Sequence, residues 1–150
     1  MKVLALGGSG GMGRFAVETA MHFDNIEHIL VADINEVSAL DFAKSMNGKV
    51  SGIGLDVTNE EKLKEIMRSV DVVINTVGPF FKFGPPVLEA AIECGCHYLD
   101  INDDWEPTVE MLKYNDDASS KGITAILGMG ASPGLTNMLG ATAIQELDEV

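Results

Sequence analysis

Residues 2–13 read KVLALGGSGGMG, and this stretch decides the fold. Residues 2–7 form a short apolar run that ends at glycine. A helical pattern starts directly behind it. In GMGRFAVETAMHF, the residues Met12, Phe15, Ala16, Thr19, Ala20 and Phe23 recur with a 3.6-residue period and predict one core-facing surface. Gly8, Gly10 and Gly13 fit G-x-G-x-x-G. That spacing is weak alone and strong between a strand and a helix. Gly8 is expected to make the tight turn, Gly10 to let the backbone approach a pyrophosphate, and Gly13 to let helix and strand pack closely. The turn itself, with Ser9, Gly11 and Met12, would offer free N–H groups and a partial positive charge to phosphates.

Working outward, apolar runs alternate with helical patterns along the whole chain. The runs are 28–33, 50–56, 71–77, 97–101 and 123–128. Between them, Val37, Leu40, Ala43 and Met46 lie at helical spacing, and residues 59–70 start at an Asn cap with acids in the first turn. PPVLEAAIEC reads as a helix opened by prolines and closed by Gly95. Another helix is expected from Trp105 to Ser120, and a last one over 132–147 with Ser132 as cap and Pro133 at its first position. Near-continuous apolar strands are buried on both faces, which requires a parallel sheet with helices on each side. The expected fold is α/β: a doubly wound parallel sheet of about six strands in a three-layer α/β/α Rossmann arrangement. One domain is expected over residues 1–150, a dinucleotide-binding domain with no substrate domain in this chain.

Three strand ends carry the remaining site residues. Asp33 ends the second strand, 20 residues after Gly13, where an acid accepts hydrogen bonds from the adenosine ribose hydroxyls. It would repel a 2′-phosphate, and the following Ile-Asn-Glu offers no cation to offset that, so NAD is expected over NADP. Capping of the second helix is the other use for Asp33. Asp56 and Val57 end the third strand and suit the adenine, by a polar and an apolar contact; Asp56 equally suits a turn. Thr76, Val77, Gly78 and Pro79 end the fourth strand, beside the reversal of strand order where ligands sit.

Composition narrows the class. The net charge is −13, scattered along the chain, which disfavours nucleic acid and anionic membranes as partners. No run is long enough to span a bilayer or to act as a secretory signal. The two cysteines, Cys94 and Cys96, are too close to bridge comfortably and suggest a reducing, cytoplasmic location. CGCH lacks a second ligand pair, so no metal site is expected. There is no P-loop motif. Neither tyrosine has a lysine four residues on, which removes the usual acid–base pair of short-chain dehydrogenases.

LALGGSGGMGRFA, DVVINTVGPFFKFGPPVLEAAIECGCHYLDIND and ILGMGASPGLTNMLG together resemble the saccharopine dehydrogenase family. The resemblance covers essentially the whole chain. It implies an NAD(P)-linked oxidoreductase that moves hydride between nicotinamide and a C–N bond of an amino acid, with a homodimer as a possible assembly. Saccharopine reductases of this kind carry an acid in G-x-D-P-G, where this chain has Ser132; that leaves lysine-like or other amines open as substrates. Asp100, after the fifth strand, is the candidate to orient the substrate amine or its water, against a plain turn role. A stand-alone NAD(H)-binding or sensing module is the alternative reading, and an atypical short-chain reductase a third.

Overall fold

The computed structural model describes residues 1–46 and 48–147. Six strands form one parallel sheet: β1 (Lys2–Leu6), β2 (His28–Asp33), β3 (Val50–Gly54), β4 (Val72–Asn75), β5 (His97–Asp100) and β6 (Ala125–Ile126). Their spatial order is β3-β2-β1-β4-β5-β6. The chain thus runs outward from β1 to β3, returns, and continues from β4 on the other side. The reversal leaves a crevice at the C-terminal ends of β1 and β4.

Alternation along β1 builds both cores. Leu4 and Leu6 join Leu63, Met67, Val87 and Ala91 on one face. Val3 and Ala5 join Val17, Ala39 and Phe42 on the other. Helices α1 (Gly11–Ala20) and α2 (Glu36–Ser45) cover the second face. Helices α3 (Glu60–Met67), α4 (Phe80–Cys94), α5 (Trp105–Leu112) and α6 (Asn115–Ser120) cover the first. Asn35 and Asn59 cap α2 and α3, accepting from Ser38 N and Lys62 N at 3.1 Å each. Gly95 ends α4 with φ of 80°.

Several boundaries and faces differ from the periodicity. In α1 the buried residues are Gly13, Val17 and Ala20, while Met12, Phe15 and, beyond its end, Phe23 are exposed. The reason is Gly13. A Cβ there would lie 2.2 Å from Gly7 O, so the glycine face must meet the loop, and that sets the rotation of the whole helix. The same holds for α2, which buries Ala39, Phe42 and Ala43 and exposes Val37 and Leu40. Gly52 of β3 lies under it, where a Cβ would be 2.4 Å from Ala39 O, so α2 meets the strand at Ala39.

Helix α4 starts at Phe80, and its prolines, Pro85 and Pro86, sit inside it rather than at its opening. The expected helix over 105–120 is two helices, with Lys113 and Tyr114 between them. Strand β6 is shorter than 123–128, and β3 stops at Gly54. Ser132 does not cap a straight helix: residues Ala131–Leu135 form an irregular turn with Ser132 extended, and α7 (Thr136–Gln145) follows. No residue of α7 is buried; Met138, Leu139 and Ile144 are exposed.

Candidate functional site

The glycine loop is held by backbone contacts on both sides. Gly7 N donates to Ala32 O at 2.9 Å, and Gly10 N to Gly7 O at 2.9 Å. Gly8 and Ser9 are the middle residues of the tight turn that Gly10 N closes on Gly7 O, and Gly7 opens it with φ of 68°. Gly8 is also required sterically: a Cβ there would lie 2.8 Å from Ala5 O. Gly13 packs on the loop as expected. Gly10 and Gly11 differ, since a Cβ on Gly11 meets nothing within 4 Å and one on Gly10 meets only Gly7 O at 3.2 Å. Their open side fits a role in ligand approach.

Helix α1 begins at this loop with no side-chain cap and no acid in its first turn. Helices α2 and α3 have both. An uncapped first turn leaves N–H groups and dipole charge unanswered, which favours an anion. Ser9 is buried, and its hydroxyl donates to Asp33 Oδ2 at 2.7 Å. Asp33 Oδ1 accepts from Asn35 N at 3.2 Å. The carboxylate is therefore oriented at the end of β2. Arg14 Nε donates to Ser9 O at 2.7 Å, and its guanidinium stacks 4.7 Å over the Phe42 ring.

A cleft of about 280 Å³ gathers Gly7, Gly10, Asp33, Asp56, Val57, Thr76, Val77 and Gly78 at one wall junction, with Ile34, Leu55 and Phe83 supplying apolar surface. These are most of the residues expected from the strand ends. Met12 is exposed beside the loop and is outside this lining. Ile34, Leu55 and Phe83 carried no sequence signal, because apolar residues beside a strand or in the first turn of a helix look like core. A larger cleft, about 570 Å³ between α4, α5 and β6, holds none of the expected cofactor residues.

Asp56 is exposed and forms a local turn: Oδ1 accepts from Thr58 N at 2.9 Å and Thr58 Oγ1 at 2.7 Å. The Thr58 hydroxyl and amide hold its carboxyl below the usual carboxylate range. Thr76 bridges the central strands, its N and Oγ1 both donating to Leu6 O, at 3.0 and 2.8 Å. Pro79 follows a cis bond from Gly78 and caps α4.

Asp100 is fully buried and does not open on the cleft. Its Oδ1 accepts from Gly128 N at 2.7 Å and Asn102 N at 3.0 Å. This geometry clamps the loop after β5 to the loop after β6, and it keeps the carboxylate from touching a substrate amine. Burial pushes its pKa up; the bonds from Gly128 N and Asn102 N, and the Tyr98 hydroxyl close by, oppose that. Oδ2 has no partner at hydrogen-bond geometry, alone among buried side-chain oxygens and nitrogens of the described residues. Tyr98 and Asn75, both buried, lie next to it. Asn75 Nδ2 donates to Tyr98 Oη at 3.0 Å, and Asn75 Oδ1 accepts from Val77 N at 3.0 Å. The sequence signal was a polar residue inside each of two apolar runs, NTV and HYLD.

Burial raises the thiol of Cys94, and it pushes Cys96 up to about 11. Both cysteines are free. No helix among the described residues is long and apolar enough to cross a membrane.

Known proteins share this architecture. The yeast saccharopine dehydrogenase (L-Glu forming) superposes with a TM-score of 0.82 at 26% identity, over 97% of this chain and 31% of that one. The human saccharopine dehydrogenase-like oxidoreductase is 34% identical over 99 residues, 63% of this chain and 23% of that protein. The lipid droplet localized protein of Caenorhabditis elegans is 29% identical over 142 residues, 85% of this chain and 32% of that protein. The chain thus spans a third or less of the length of these relatives. The family described as the saccharopine dehydrogenase NADP binding domain matches residues 3–126. With that match lying on the glycine loop, Asp33 and the β4 crevice alike, the chain belongs to the saccharopine dehydrogenase NADP-binding domain family, a family of oxidoreductases that use a nicotinamide cofactor.

Proposed function

We propose that this chain is the cofactor-binding half of an oxidoreductase that transfers hydride between a nicotinamide dinucleotide and a C–N bond of an amino acid, and that NAD is its preferred cofactor. The observation that carries the reading is the Asp33 carboxylate, fixed by Ser9 and Asn35 N on the wall of the same cleft as Gly10 and Val77. A fixed acid accepts from both ribose hydroxyls and repels a phosphate ester at the same place. Gly10, Gly11 and the uncapped start of α1 would hold the pyrophosphate. Asp56 and Val57 would border the adenine, and Thr76 to Pro79 the nicotinamide ribose. The cofactor supplies the hydride chemistry when bound. The chain's own residues bind it, orient it and shape the crevice in which a carbon can meet it.

The amino-acid substrate would be met mainly by a separate domain, so the chain alone binds cofactor without turnover. The exposed apolar residues of α7 support a packing partner there, either that domain or a second copy. A cytoplasmic location belongs to the same reading, supported by the two unbridged cysteines. Calorimetry with NADH and NADPH tests the proposal directly. Binding of NADH in the micromolar range, weaker NADPH binding and no amino-acid oxidation are expected; absence of binding by either cofactor would remove it.

A further inference from the structure

A hydrogen-bond imbalance lies beneath the crevice. Tyr98 Oη receives the amide proton of Asn75. The phenol's own proton then needs an acceptor, in a place no water reaches, since Tyr98 is 2% exposed and Asp100 and Asn75 are 0%. Asp100 Oδ2 is an acceptor without a donor. A buried donor and a buried acceptor left unpaired side by side would each cost free energy, and a slight approach of the Tyr98 hydroxyl to Oδ2 satisfies both. The result is a continuous chain. Val77 N donates to Asn75, Asn75 to Tyr98, and Gly128 N to the other oxygen of Asp100; the inferred Tyr98–Asp100 bond joins the two ends.

The ends of this chain lie on two different loops. Val77 is in the loop after β4 and lines the cleft. Gly128 is in the loop after β6, with φ of 72°, where a Cβ would meet Pro133 at 2.8 Å. Both loops leave the C-terminal edge of the sheet, the edge on which a dinucleotide lies. We propose that Tyr98 is a positioning residue that couples the backbone at Val77 to the backbone at Gly128 and so holds the nicotinamide end of the crevice in shape. The inference rests on the cofactor reading for its functional half. Its structural half, the coupling, stands by itself.

The test compares the wild-type chain with Tyr98→Phe, which keeps the ring and removes one oxygen. Ile92→Ala serves as control, since Ile92 is buried in α4 and outside the network and the cleft. Amide exchange by NMR is followed at Val77 and Gly128, and NADH affinity by calorimetry. In Tyr98→Phe both amides should exchange faster together, beyond their change in the control, and NADH should bind about five- to tenfold more weakly. In Ile92→Ala stability should fall and NADH affinity should not. Unchanged exchange at either amide, or unchanged NADH affinity in a folded Tyr98→Phe protein, would overturn the proposal. If Tyr98→Phe does not fold, Asp100→Asn decides by the same readouts: it keeps an acceptor for the two amides and turns Oδ2 into a donor. Wild-type protein that binds neither NADH nor NADPH overturns the cofactor reading instead, and the exchange data then decide the coupling.

Discussion

The Ser9 hydroxyl donates to Asp33 Oδ2 across 2.7 Å, joining the glycine loop to the end of β2. Two parts of the proposed dinucleotide site are thereby set relative to each other before any ligand arrives. A carboxylate that is already oriented loses less freedom when it accepts from ribose hydroxyls.

Replacing the acid should therefore change cofactor choice more than stability. Asp33→Ala is expected to weaken NADH binding about ten- to hundredfold, the range for hydrogen bonds to a charged group. NADPH binding should change little or improve, because the repulsion is gone. Ser9→Ala should act in the same direction and less strongly, since Asn35 N still holds Oδ1. Titration of all three proteins with both cofactors checks this. A wild-type chain with higher affinity for NADPH would show that Asp33 does not select against the phosphate.

The glycines of the loop should separate into two kinds. Gly13→Ala places a Cβ 2.2 Å from Gly7 O and 2.6 Å from Gly8 Cα, both backbone atoms. Helix α1 must lift from the loop, at a cost of about 1–3 kcal/mol or more. Gly10→Ala meets one atom at 3.2 Å and leaves the fold nearly as it was, but its methyl enters the cleft wall. Urea melts should show a lowered midpoint for Gly13→Ala and a near-native one for Gly10→Ala. NADH affinity should fall in Gly10→Ala despite its intact fold. Equal midpoints in the two variants would contradict the division.

The architecture was legible from the alternation of apolar runs with helical segments, and much of the candidate cleft's lining from residues at strand ends. Helix rotation was not legible. Periodicity finds a face rich in large apolar residues, such as Met12 and Phe15, but the sheet demands the smallest residue where the backbones approach closest. Gly13 and Gly52 meet that demand, and Val17, Ala39 and Phe42 follow from it. Tyr98 and Asp100 escaped as a network for a related reason. Their partners, Asn75 and Gly128, are far along the chain and become neighbours only through strand order.

The rotation of α1 decides which of its side chains stabilise the fold. Val17 is fully buried against β1 and β2, and Phe15 is 67% exposed. Val17→Ala should cost about 2–3 kcal/mol through lost burial and the cavity left behind. Phe15→Ala removes a larger side chain and should cost under about 0.5 kcal/mol, as exposed positions do. Thermal or urea unfolding of the two variants ranks them. The opposite ranking would mean that the periodic face, and not the glycine face, meets the sheet.

Alkaline pH should weaken the fold through a buried thiol. Cys96 is fully buried, and its Sγ–H donates to Met67 O at 3.0 Å. Burial raises its pKa to about 11 from an ordinary 9.0. The folded state thus holds a proton that the unfolded state releases earlier. The stability this provides is complete below pH 9 and is lost as pH rises through about 11. The loss should approach about 2–3 kcal/mol, because each of the roughly two tenfold steps in proton affinity corresponds to about 1.4 kcal/mol. Tyr98 is also raised well above its ordinary value, and its loss adds in the same direction. Comparison with Cys96→Ala isolates the thiol. The variant should be less stable than wild type at pH 7, from its smaller side chain, yet lose less between pH 9 and 11. Urea midpoints measured at intervals across that range give both slopes, and parallel slopes would show that the Cys96 proton does not stabilise the fold.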